Sequence, residues 1–379
     1  MEQYDTHATA DPFACSVNAF ETLMGTLSGD QASAWTHAEL EEHLDAAGRE
    51  LLRQLLQDHL DLRALREEEQ VRAGASLVVV GPEGRVRPWR ETGHARWLAS
   101  LFGLVRFTRV AHRGPGVGNV HPADEELSLP AGRHSLGLRR LAVTEAVRGS
   151  FDQAHDAVTR RCGKVLGKRR LEELVIAAAI DVDAFYRAQI PVPCSRQIPL
   201  VLQVDGKGVV MRPEALREAT RRAAVKAAAA GGHRGRLAPG EKAWAADHLT
   251  TILAGHAART AAEMTADADR EGLPATRRET VDACHRYLTG HLDQLRYDTA
   301  LANGWPIATG AVEGACRHLI ADRLDITGAR WGLPGAEAVL RLRTLVANGD
   351  LDAYWRFHSA HEHERLYPAP GQENYNLTA

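Results

Sequence analysis

IPLVLQVDGKGVVMRPE, residues Ile198 to Glu214, is the stretch on which the reading of the fold turns. Leu200 to Val204 is a run of aliphatic and β-branched residues, the pattern of a strand buried on both faces. The run stops at the turn dipeptide Asp205-Gly206, and apolar residues resume from Val209 to Met211, so the pattern predicts a tight hairpin. Asp205 would then stand at the end of a core strand. It has two readings. A strand-end carboxylate can hold a hard cation, because the strand fixes it and the turn leaves it open. It can also be the turn residue of an Asp-Gly hairpin and nothing more.

Outward from this stretch, charge is unevenly placed. Residues 1–70 carry 15 acids against 4 Lys/Arg, residues 133–175 carry 10 Lys/Arg against 5 acids, and residues 206–242 carry 9 against 3. A formal net charge of −3 means that any affinity for nucleic acid is local. An acidic front with a basic middle suggests that the middle meets phosphate, although a solvated surface explains either basic segment alone. No run of eighteen apolar residues occurs and the start is polar and acidic, which predicts neither a membrane helix nor a secretory signal. Cys15, Cys162, Cys194, Cys284 and Cys316 form no CxxC pair and read as reduced thiols of a cytoplasmic protein.

The pattern predicts an α+β, mostly helical chain in five regions. Residues 1–74 form an acidic helical region, with helices over 13–29 and 36–72. The Leu stripe of the second helix packs on the body of the protein or on another subunit. Residues 75–134 form a small β-rich unit: a hairpin around Gly81 to Gly84, a short helix around Trp97, and a strand from Leu104 to Val110. Residues 135–190 return to helix. Ser150-Phe151-Asp152-Gln153 is a capping box, that helix stops at Cys162-Gly163, and another opens at Lys168-Arg169-Arg170. This is either a helix-turn-helix DNA reader or an αα-hairpin with a basic cap. Residues 191–242 hold the Asp205 hairpin, a basic helix from Pro213 and a positive linker over 231–242, and residues 243–379 are helical. Glu313 sits in the first turn of a helix that begins near Gly310, off its apolar stripe. It is either half of a surface pair with Arg317 or a second metal-binding carboxylate.

Several motifs together carry a resemblance. VDGKGVVMRPE (204–214), GWPIATGAVEGACRHLIADR (304–323), ITGARWGLPGAEAVL (326–340) and NGDLDAYWRFH (348–358) resemble insertion-sequence transposases of the Kra family. HPADEELSLP (121–130), HSLGLRRLA (134–142), SFDQAHDAV (150–158) and KRRLEELV (168–175) are similar to the same family's N-terminal half. The family is of the DDE type with an RNase H-like catalytic domain. The resemblance implies Asp205 as the first catalytic and metal-binding carboxylate and Glu313 as the last. It implies Mg²⁺ or Mn²⁺ as cofactor, double-stranded DNA at element ends and target as partner, and a nucleoid-associated cytoplasmic location, and it admits a homodimer. The expected DNA contacts are Lys168, Arg169, Arg170, Arg221, Arg222, Arg317 and Arg330. The family's second catalytic Asp lies between Asp205 and Glu313, in a strand-end motif that this chain lacks, so the RNase H-like core is expected to be incomplete.

The implied chemistry is in-line displacement at phosphorus, assisted by two Mg²⁺ ions on hard oxygen ligands. Asp247, Asp267, Asp282 and Asp298 could stand in for the missing carboxylate, but all lie in helical or loop contexts. Three alternatives follow: an active DDE transposase, an inactive, internally deleted derivative that only binds DNA, or a structural protein that binds no nucleic acid. A single-strand transposase of the His-hydrophobic-His type is not supported, because His361-Glu362-His363 has a charged residue at its centre.

Overall fold

The structure is a computed structural model that describes residues 11–74, 78–191, 193, 201–205, 207–216, 218, 221–222, 239–307, 310–326 and 328–368. It is α+β and mostly helical, with one small antiparallel sheet among the described residues. The chain divides into two compact units, 1–192 with 209–212 and 319–379, and 193–208 with 213–318.

The first unit begins with α1 (Ala14–Ser28), α2 (Asp30–Ser33) and the 36-residue α3 (His37–Arg72). A capping box starts α3: the Thr36 hydroxyl accepts from the Glu39 N–H, and the Glu39 carboxylate accepts from the Thr36 N–H. Helix α3 lies against a hairpin of β1 (Trp89–Ser100) and β2 (Gly103–Arg113). Leu60 of α3 meets Leu98, Val105, Phe107, Ala123 and Leu129 in a small core. Polar side chains of α3 complete this contact. Gln57 accepts from the Arg106 N–H and donates to its carbonyl, both at 2.8 Å, and Glu67 accepts from the Val110 N–H at 2.9 Å. These bonds satisfy β2 backbone groups that would otherwise be open to pairing.

The hairpin corrects the expected helix around Trp97. His94, Arg96 and Leu98 turn inward while Ala95 and Trp97 face out, a period of two that only a strand provides. The turn closes through Gly103 at φ 131°, a conformation that side chains resist. The expected hairpin at Gly81–Gly84 is present in minimal form, as an antiparallel bridge between Val80 and Val86; Leu77 lies outside the described residues. Short α4 (Pro122–Glu126) brings Asp124 to Arg96 at 3.2 Å and to Arg109 at 2.9 Å.

Helices α5 (Leu136–Arg148), α6 (Phe151–Cys162), α7 (Lys168–Ala178) and α8 (Val182–Ala188) follow as expected, and the capping box at Ser150 is formed with both bonds. The chain then enters the second unit. Residues 201–205 correct the expected buried strand. They join no ladder among the described residues, and Leu202 and Val204 are 80% and 93% exposed. An apolar run becomes a core strand only where a partner strand and a covering layer exist, and neither is described here. The remainder of the expected basic helix and linker falls largely on 217–238, most of which lies outside the described residues. The linker's last part is not a loop, because α9 (Pro239–Leu253) already begins at Pro239.

Helices α10 (Ala257–Arg270), α11 (Ala275–Gly290), α12 (Tyr297–Ala302) and α13 (Gly310–Ala315) complete the second unit. The small buried residues Ala257, Thr260, Ala261 and Ala268 of α10 allow close helix packing. A π-helical turn over Cys316–Ala321 leads back to the first unit and to α14 (Asp322–Leu324), α15 (Leu333–Ala347) and α16 (Leu351–Leu366). There α5, α6, α7, α8, α15 and α16 share the main core, which includes Leu138, Val158, Leu171, Val339, Leu342 and Tyr354. Val209 and Met211 pack on it, and Met211 forms a parallel bridge with Trp331. The second arm of the expected hairpin is therefore covered by the Trp331 segment.

One buried cation organises this core. Arg323, 1% exposed, donates to the Ala146 carbonyl at 2.8 Å and lies over the rings of Phe151 and Trp331 at 5.0 and 4.7 Å. Arg343 donates to the Val147 carbonyl beside it. Two guanidinium groups thus meet the last carbonyls of α5, where the helix dipole favours positive charge.

Candidate functional site

In the second unit the two implied catalytic carboxylates, 108 positions apart, converge on one thiol. Cys316 Sγ donates to Asp205 Oδ2 at 3.7 Å. Desolvation pushes the thiol pKa up, the Asp205 carboxylate adds to this, Lys207 offsets part of it, and Glu313 raises it again. Glu313 lies in the first turn of α13, the helix expected to start at Gly310, three residues before Cys316. Both carboxylates are exposed.

In the sequence Cys316 falls at helical spacing with the apolar Val312, Leu319 and Ile320, a pattern that does not mark it as a neighbour of charge. The signal that would have found it is its position three residues after Glu313, which places both on neighbouring turns of one helix face. As a donor set, Asp205 and Glu313 suit one Mg²⁺, which commonly binds through one or two carboxylates, waters and substrate phosphates. The set does not fit two ions. Among the described residues no group of three or more His, Cys, Asp and Glu side chains is arranged to hold a metal. Three of the four aspartates that could stand in are engaged elsewhere. Asp267 accepts from Trp244 at 3.2 Å and Arg270 at 2.7 Å, Asp282 from Arg278 at 3.0 Å, and Asp298 lies 3.8 Å from Arg296.

In the first unit, α6, a five-residue turn over 163–167 and α7 follow one another as the pattern predicts, an order common to a helix-turn-helix and an αα-hairpin. Ala154, Val158, Cys162, Leu166, Leu171, Leu174 and Val175 are buried and hold the two helices together. Gly163 ends α6 at φ 77°, the left-handed conformation that glycine takes without strain. The basic triplet at the start of α7 is exposed, but it has carboxylate partners. Lys168 pairs with Asp152, while Arg169 and Arg170 lie 3.6 and 2.6 Å from Glu173. Arg221 and Arg222 lie 3.6 and 3.0 Å from Glu218, and Arg317 and Arg330 are exposed. Arg317 belongs to the second unit and Arg330 to the first, so the structure gathers only the α7 triplet and the 221–222 pair locally.

A pocket of about 600 Å³ opens at the turn, lined by Arg133, His134, Lys164, Gly167 and Arg170 among others, with no carboxylate in its lining. Sequence reading missed Arg133, His134 and Lys164 as a group, because a loop before α5 and the turn before α7 meet only in three dimensions. It also missed a buried ionic cluster in the same unit. Asp181 accepts from His358 Nδ1 at 2.6 Å and from Arg365 at 2.7 and 3.0 Å. Burial alone would raise the Asp181 pKa, but the bonds from His358 and Arg365 outweigh it and hold the group at about 2. Arg139 pairs with Glu362 at 2.7 Å, and Glu362 Oε2 lies 3.9 Å from His358 Nε2 without a hydrogen bond. Among the described residues no hydroxyl or thiol nucleophile hydrogen-bonds to His358, so the geometry is that of a structural clamp between α8 and α16.

Among the described residues, no helix is long and apolar enough to cross a membrane. Compared with protein-family models, curated proteins and solved structures, the chain matches nothing.

Proposed function

We propose that the chain is a DNA-binding protein of the insertion-sequence transposase type, similar to the Kra family, whose strand cleavage is weak or absent. One observation carries the reading: Asp205 and Glu313, distant in sequence, act on the same Cys316 thiol. Cys316 follows Glu313 by three residues, so its hydrogen bond to Asp205 is what supports placing the two carboxylates in one neighbourhood. The parallel bridge from Met211 to Trp331 is compatible with a remnant of an RNase H-like core, which belongs to the same proposal. Asp205 and Glu313 would hold one Mg²⁺ or Mn²⁺, and such an ion supplies Lewis-acid stabilisation of charge on phosphate oxygens. The third carboxylate that a two-ion mechanism needs does not join this group among the described residues. A second reading, an internally deleted derivative that binds DNA and does not cut it, follows from the same deficit.

DNA binding would rest on α6, the turn and α7, with Lys168, Arg169 and Arg170 at the phosphates and further contacts from Arg221, Arg222, Arg317 and Arg330. Such a protein would work at the nucleoid, and a homodimer would suit the paired ends of an element. The test is a salt titration of binding to duplex DNA taken from the flanks of the reading frame. Replacing Lys168, Arg169 and Arg170 by Ala should flatten the slope of log K against log salt by about 1–3 units. An unchanged slope removes the helix-turn-helix from the interface.

A further inference from the structure

We propose that the pocket beneath the start of α7 is an oxyanion site that takes a phosphate group. Its floor is fixed by the backbone. His134 forms a parallel bridge with Ala99 at the end of β1, with Ala99 N–H donating to the Arg133 carbonyl at 2.7 Å and Ser135 N–H to the Ala99 carbonyl at 2.9 Å. This pins Arg133 and His134 opposite the turn that carries Lys164 and Gly167. Gly132 lets the neighbouring guanidinium in, since a Cβ there would stand 3.2 Å from Arg170 Nη2.

Three independent features favour an anion. First, Arg133, Lys164 and Arg170 line the pocket, and among the described residues neither Arg133 nor Lys164 has a carboxylate partner, whereas Arg170 shares Glu173. Second, α7 is eleven residues long and its N-cap is Gly167, which lines the pocket and gives no side-chain cap, so the positive end of the helix dipole lies at the pocket with no carboxylate in its first turn. Third, His134 is only 4% exposed, and its Nδ1 is buried with no hydrogen-bond partner. His134 lines the pocket, and an orphaned buried polar atom at the wall of a cationic pocket is unfavourable unless something completes it. Burial, followed by the charges of Arg170, Arg133 and Arg139, depresses the His134 pKa to about 4, in keeping with a local excess of positive charge. A bound phosphate would answer the lysine, the arginines and the helix terminus together.

The assignment stands without the DNA-binding reading, because inorganic phosphate or a phosphomonoester could fill the pocket as well as a DNA phosphodiester. Gly167 offers a clean test. Its backbone is extended, and a Cβ there meets nothing within 4 Å. Gly167→Asp should therefore cap α7 and keep or raise stability, while its carboxylate competes with any anion. The full chain, Gly167→Asp and Lys164→Ala would each be assayed by thermal denaturation with and without millimolar inorganic phosphate, and by binding to a duplex of arbitrary sequence.

If phosphate raises the melting temperature of the native chain and both variants lose that rise, the site is established. Weaker duplex binding in both variants, with a salt slope reduced by about one unit, assigns the phosphate to nucleic acid whether or not free phosphate stabilises. Phosphate stabilisation in a chain that binds no duplex leaves the site standing and removes the DNA reading. A phosphate effect equal in all three proteins, or no change in either assay, overturns the proposal.

Discussion

At the scale of single residues, Cys316 reports on the acidic pair. Its thiol gives a hydrogen bond to Asp205 and feels Glu313, and both interactions favour the protonated form. Alkylation proceeds through the thiolate. Asp205→Asn removes one negative charge and a charged acceptor, so Cys316 should react several-fold faster with iodoacetamide near pH 8. The rate is read on its own peptide by mass spectrometry, because Cys15 and Cys284 also carry thiols. An unchanged rate would mean that Asp205 does not face Cys316. The resemblance singles out Asp205 and Glu313, but nothing in the sequence points to the thiol that bonds Asp205. Val312, Cys316, Leu319 and Ile320 make a convincing apolar stripe on paper, and a stripe cannot show which of its members stands next to a charge.

Among the elements, the helices were the readable part. Thr36–Glu39 and Ser150–Gln153 are capping boxes in sequence and in space, and Gly163 closes α6 where its position indicated. Strands were read less well, because a strand depends on its partner. Trp89–Ser100 is polar enough to pass for loop and helix until β2 is laid beside it, while Leu200–Val204 looks like a core strand and is open at Leu202 and Val204. The clamp of α8 to α16 was invisible, since Asp181 and His358 are 177 positions apart. It has a pH signature. The folded-state pKa of Asp181, about 2, lies below that of an unfolded aspartate near ~3.9. Its contribution is therefore complete above about pH 4 and fades as pH falls through about 2, with a size on the order of 2–3 kcal/mol. Asp181→Asn should lower the urea midpoint at neutral pH, and the gap from the native chain should narrow steadily on acidification. A gap that stays constant from pH 7 to pH 2 would contradict this account of the clamp.

For the whole molecule, the acidic front, basic middle and helical character were all visible in the amino-acid order, whereas the division into two units was not. The contiguous regions drawn from composition give way to a first unit assembled from three separate segments. Residues 319–379 return to the N-terminal body through contacts such as Arg323 with the end of α5 and Trp331 with Phe151, and residues 209–212 join them through the bridge from Met211 to Trp331. Such long-range closure leaves no local signature. The proposed function for the molecule is DNA binding without efficient cutting, since a two-ion mechanism asks for a carboxylate beyond Asp205 and Glu313. The most direct measurement gives the purified chain Mg²⁺ or Mn²⁺ and labelled duplexes spanning both flanks of its reading frame, and scores retention and strand breaks in the same tubes. The expected result is retained duplex with no breaks above those left by Asp205→Ala. Efficient cleavage that disappears in Asp205→Ala would contradict it.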